Sequence, residues 1–165
     1  MPASISTAEL AAYSDGERAR WERWFQLHPD ALAAPVQTGG RFASVWDLID
    51  HIFLVEKRHT LRLKGVEPLP TATGASPPQA AALFAWGRDA RAELAAVLAA
   101  MTPAEAESVM RVRFGDREYA FTRRKLALHI FFHETRHWAQ IATAVRNAGF
   151  EPPGNHDLIY STALP

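Results

Sequence analysis

The stretch from Leu126 to Ala148 constrains this chain more than any other, because it places His129, His133 and His137 in one run of helical periodicity. At about 100° per residue, His133 and His137 stand one turn apart and nearly above one another. Leu126, Ile130, Ile141 and Ala144 share their arc, the side that a helix turns toward its core. Such a helix needs other elements to cover it. Its two stacked imidazoles need partners, because a buried polar group left unsatisfied is costly.

The rest of the chain supplies further helices. Thr7 to Leu27 reads as the first, with Trp21, Trp24, Phe25 and Leu27 in its C-terminal half and His28-Pro29 at its end; the residue before a proline avoids the α region. A loop runs through Pro35 and Gly39-Gly40. Ser44 followed by Asp47 fits a capping box and opens a second helix to about Lys64, closed by Gly65. Val45, Leu48, Ile52, Val55 and Leu63 share its apolar face, with His51 at the edge of that arc and His59 nearer its centre. Pro68 to Pro78, with four prolines and Gly74, is a connector.

Gln79 to Ala100 is an alanine-rich third helix, and Thr102-Pro103 starts a short helix or an extension of it. Val109 to Thr122, centred on Gly115-Asp116, predicts a short hairpin or extended excursion. Thr122 caps the last helix, and Gly149 fits its C′ position. The tail is irregular until Leu158-Ile159-Tyr160. The expected fold is all-α, one domain over residues 1–165: an up-down-down-up-type four-helix bundle with the excursion between helices 3 and 4.

Composition narrows the partners. Lys+Arg and Asp+Glu each number 18, so no basic footprint points to nucleic acid or an anionic membrane. The absence of cysteine excludes disulfides, thiolate ligands and a cysteine nucleophile. Met1 to Thr7 lacks the features of a signal peptide, and no apolar run reaches transmembrane length; a cytoplasmic protein is expected. Trp21, Trp24, Phe25, Phe131 and Trp138 offer more apolar surface than one bundle needs, which favours a homodimer over thicker packing within the chain.

A lone histidine on an apolar face is usually a core residue bonded to a neighbour. Two at i and i+4 need separate partners, and one metal ion satisfies both, with ring nitrogens about 3 Å apart and each some 2.0–2.1 Å from an ion such as zinc. A third ligand then comes from His51, His59 or His129. His129 is poorly placed, since three ligands along one straight helix span about 12 Å. Helical angle does not choose between His51 and His59.

Residues 133–137 also spell His-Glu-Thr-Arg-His, an H-E-x-x-H pattern with Glu134 as candidate base. Its wider context fails. Gln140 and Thr143 stand where the longer zinc-protease motif has glycine and histidine, and the chain offers no multi-stranded sheet to hold a peptide, so a metalloprotease is a remote reading. Glu134 lies roughly 100° round the helix from His133. It is either a catalytic residue that orients or activates a bound water, or a plain solvent-facing glutamate.

Trp46-Asp47-Leu48-Ile49-Asp50-His51-Ile52 with Glu56, the run His129 to Ile141, and Arg146-Asn147-Ala148-Gly149 together resemble the DinB/YfiT-like superfamily of small metal-binding four-helix bundles. The resemblance covers the whole chain. It implies that His51, His133 and His137 bind one divalent metal ion. Members often carry His-His-Arg-Gly-Gln in the last motif, where Arg136, Trp138 and Ala139 depart from it.

Three neutral imidazoles leave a divalent ion its full charge and open positions, so it can activate water or act as a Lewis acid; zinc, nickel and iron all fit. Asp47, Asp50, Glu56 and Gln140 are candidates to receive the ligands' second N–H. The expected function is that of a metal-dependent enzyme on a small molecule. It is either a hydrolase using metal-bound water or, as the resemblance implies, a transferase with a low-molecular-weight thiol as cosubstrate. The alternative is a non-catalytic metal-binding protein induced by stress or DNA damage.

Overall fold

The structure, a computed structural model, describes residues 6–36, 42–68, 79–154 and 156–162. Three of its four long helices start on side-chain caps spelled by the sequence. Ser6 caps α1 (Thr7–Leu27) in a capping box with Glu9, and Ser44 does the same for α2 (Val45–Leu63) with Asp47. A 3-10 turn at Pro29–Ala33 follows α1. Gly65 at φ 76° ends the turn after α2, a conformation that costs glycine little.

Next come α3 (Ala80–Ala100) and α4 (Pro103–Glu107), the latter capped by Thr102 with Glu105. The expected excursion is a hairpin. Strand β1 (Val109–Phe114) pairs antiparallel with β2 (Arg117–Thr122), from Val109 opposite Thr122 to Phe114 opposite Arg117, with Gly115 at φ 59° in the turn. Thr122 then caps α5 (Arg123–Asn147), and Gly149 follows it at φ 88°. The connector expected over Pro68 to Pro78 lies outside the described residues after Pro68, as do Gly39-Gly40 and Met1 to Ile5. The described chain is thus mostly helical with one small two-stranded sheet, and none of its helices is long and apolar enough to cross a membrane.

Helices α1 and α2 each pack against α3 and α5. The buried apolar residues fall into two clusters. One takes Trp21 and Phe25 from α1, Leu48 to Phe53 from α2, Leu83 and Phe84 from α3, and Trp138 to Val145 from α5. The other takes Leu63, Leu94 and Leu126 to Phe131, with Leu10 and Ala11 packed against it. Between them Arg18, Glu56, Arg91 and Glu134, one from each long helix, form a layer of buried charge.

Trp21, Trp24, Phe25, Phe131 and Trp138 are all buried within the chain. Trp21 stacks on Trp138 at 5.7 Å. The homodimer expected from these five rings is therefore left without that support, because intrachain packing covers them.

Candidate metal centre

The centre is assembled by α2 and α5. His51 comes from the second turn of α2; His133 and His137 come from successive turns of α5. The helical period stacks the latter pair, and the packing of α2 on α5 brings in the third ring. His133 Nε2 lies 3.0 Å from His137 Nε2 and 3.2 Å from His51 Nε2, and one ligand atom from each ring falls within 4.8 Å of the others.

These separations suit a shared ion. Two nitrogens each some 2.0–2.1 Å from a metal are about 3 Å apart for bond angles between square and tetrahedral. Proton positions fit as well. His137 Nδ1–H donates to Gln140 Oε1 at 2.5 Å, which leaves the Nε2 lone pair facing the other rings. His133 is pushed down to about 2 by burial and by the neighbouring His137 and His51, so it stays neutral and able to ligate at physiological pH. Phe42 lies 4.8 Å from the His51 ring and 6.2 Å from His137, forming an aromatic wall.

His59 and His129 stand outside the trio. The Arg62 guanidinium donates to His59 Nδ1 at 3.2 Å; arginine has no acceptor, so the His59 proton sits on Nε2, away from any ligating role there. Burial, Arg62, His129 and Arg58 push His59 down to about 3. His129 is exposed, its ring 5.4 Å from His59 and 5.6 Å from His133. Of the groups expected beside the ligands, Gln140 bonds His137. Asp47 serves the cap of α2 instead, and Glu56 faces arginines.

Glu134 is not solvent-facing. It is 1% exposed, and its carboxylate accepts from Arg18 Nε and Nη2, Arg91 Nη2, Ser14 Oγ and Trp138 Nε1. Burial alone would raise its pKa, but the two guanidiniums and the indole N–H hold it below the usual range. The expectation of a catalytic carboxylate at 134 therefore meets a group already bonded to five donors. Arg18 and Arg91 also bond Glu56, at 2.6 and 3.0 Å, closing a buried layer of two positive and two negative charges.

That layer was missed from the sequence, although a signal exists. Arg18 lies four residues after Ser14 and three before Trp21, Arg91 four after Gly87 and three before Leu94, and Glu56 four after Ile52, all of them buried positions. Charges on the apolar arcs of four helices, two of each sign, indicate mutual pairing. Two clefts, of about 320 Å³ between α1 and α3 and about 370 Å³ between α1, α5 and the tail, do not include the three histidines among their walls.

Comparison with known proteins agrees with the mostly helical fold. The profile of the DinB superfamily matches residues 13–141. No curated protein matches the chain significantly. Among solved structures, the crystal structure of the DinB-like protein YjoA from Bacillus subtilis is similar at a TM-score of 0.62 and 14% identity, covering 90% of this chain and 96% of that one. With the matched profile spanning most of its length, the chain belongs to the DinB superfamily.

Proposed function

We propose that the chain binds one divalent metal ion through His51, His133 and His137 and uses it in a reaction on a small molecule, as a hydrolase or a thiol-dependent transferase. The observation that carries this is the convergence of three Nε2 atoms at 3.0 and 3.2 Å, with the His137 tautomer fixed by Gln140. When bound, zinc, nickel or iron supplies Lewis acidity at that point. The histidines hold it as neutral ligands. Gln140 orients His137, and Phe42 shields one side of the rings from water. Any thiol comes from outside, because the chain has no cysteine. Glu134 acts as a positioning residue, an ionised carboxylate that works through the helices it ties and takes no part in proton transfer.

The up-down-down-up arrangement is part of the same proposal. It is supported by the order in which each helix meets the two apolar clusters: α1 and α5 pass from the Leu63 cluster to the Trp21 cluster, α2 and α3 the other way. A non-catalytic metal-binding role is the second reading, favoured by the burial of His133 and His137.

Elemental analysis of untagged protein beside a His51→Ala variant tests the centre. About one metal ion per chain, lost in the variant, is expected. Unchanged metal content would remove His51 from the site and overturn the three-histidine centre. Metal-dependent turnover of esters or thiol conjugates then separates the enzyme from the non-catalytic reading.

A further inference from the structure

We propose that the cleft between α1, α5 and the C-terminal tail binds a small zwitterion, an elongated molecule with an ammonium group at one end and a carboxylate at the other. The cleft measures about 370 Å³, within the range of small-molecule sites. Its α5 wall, with Thr135, Ala139, Ala142 and Arg146, falls roughly opposite His133 and His137 around the helix. It is therefore a second site, and it stands whether or not the metal centre does.

Contacts along the helices order the walls. Helices α1 and α5 run in the same direction here: Ser14 bonds Glu134, Trp21 stacks on Trp138, and Trp24 donates to the carbonyl of Glu151. The tail then turns back along them. Tyr13 donates to the His156 carbonyl at 2.7 Å, and His156 Nδ1–H donates to Glu17 at 2.6 Å. Asp157, the next residue, thus lines the cleft at the level of Tyr13 and Thr135. Arg146 closes the other end, eleven residues or about 16 Å along α5. Side chains on a helix lean toward its N-terminus, so Arg146 leans into the cleft.

The two ends differ in chemistry. At the Tyr13 end the groups on offer are acceptors. Thr135 gives its hydroxyl hydrogen to the Phe131 carbonyl, and Tyr13 gives its own to His156, so both present lone pairs. Glu17 is buried and answered by Arg20 and His156, whereas exposed Asp157 makes no ion pair among the described residues. Burial, Glu17 and Asp157 push the Tyr13 phenol up, the two carboxylates making the field at this end negative. At the other end Arg146 presents a fork of donors, and it too is exposed and without an ion pair among the described residues. Between the ends Trp138, Ala139 and Ala142 are apolar. A carboxylate and a guanidinium at opposite ends of such a cleft match the two charges of a zwitterion whose body crosses Trp138.

The test is calorimetric titration of the full-length protein with 6-aminohexanoate, hexylamine and hexanoate, which share a chain length and differ in charge. 6-Aminohexanoate is expected to bind about tenfold more tightly than either singly charged probe, and equally well after treatment with a chelator. Arg146→Gln should weaken it about tenfold without weakening hexylamine, and Asp157→Asn about tenfold without weakening hexanoate. Ala139 is exposed, so Ala139→Phe fills the cleft without disturbing the core and should abolish binding. No saturable binding of 6-aminohexanoate, equal binding of all three probes, or unchanged affinity in Ala139→Phe would overturn the proposal. Loss of binding on chelation would overturn it too, by placing the probe at the histidines.

Discussion

Arg18 on α1 and Glu134 on α5 meet in a two-pronged ion pair, Nε to Oε1 at 2.6 Å and Nη2 to Oε2 at 2.8 Å, at the residue next to His133. The same guanidinium reaches Glu56 on α2 and the carbonyl of Gly87 on α3. One side chain therefore touches all three other long helices at the level where the histidines converge. The bonds it makes are directional, so they hold α2 and α5 in the register that brings His51 to His133.

Removing that guanidinium leaves two buried carboxylates to share Arg91. Arg18→Met is expected to destabilise the fold by about 3–5 kcal/mol, the usual result of stranding a buried charge. Replacing both partners, Arg18→Met with Glu134→Leu, leaves Arg91 opposite Glu56 and should cost less than the single change. Urea denaturation of the three proteins checks the order; a double variant less stable than Arg18→Met would contradict it.

Gln140 fixes the tautomer of His137 through the Nδ1–H bond. Gln140→Ala should therefore lower metal affinity by about 10–100-fold while His51, His133 and His137 remain. Competition with a chelator of known affinity measures the change, and equal affinities would show that His137 is oriented by something else.

The pH dependence of the metal-free protein has a definite sign. His59 titrates at about 3 in the fold against an ordinary 6.5, so the unfolded chain binds its proton first as pH falls. Stability from this group is complete above pH 6.5 and decreases below it, by about 2 kcal/mol between pH 7.5 and 5. His133 acts in the same direction. His59→Asn keeps an acceptor for Arg62 and removes the titration, so its stability profile over that range should be flatter. Parallel profiles would mean that His59 protonates freely in the fold.

Gly87 reverses the usual rule for glycine in a helix. Alanine normally stabilises such a position by about 1 kcal/mol. A Cβ at 87, however, would lie 2.7 Å from the Phe53 ring, which is fully buried and held against Phe84 and Trp138. Overpacking of this kind costs about 1–3 kcal/mol and exceeds the helical gain. Gly87→Ala is expected to lower the melting temperature, and a rise would show that Phe53 can move aside.

Much of this protein was legible in local chemistry. Ser44 with Asp47, Thr102-Pro103, Gly115-Asp116 and Gly149 act within a few residues, so the sequence determined the helix starts, the hairpin turn and the end of α5. The period of the helix likewise paired His133 with His137. The choice between His51 and His59 was not available there, since helical angle states which way a side chain leaves its own axis and not what stands opposite. Nor was the pairing of Arg18, Glu56, Arg91 and Glu134, which are 38 to 116 residues apart where they bond to Arg18. Only the packing of α2 on α5 decided these. A third ligand and a buried counter-charge are relations between helices, and their distances exist only once those helices have met.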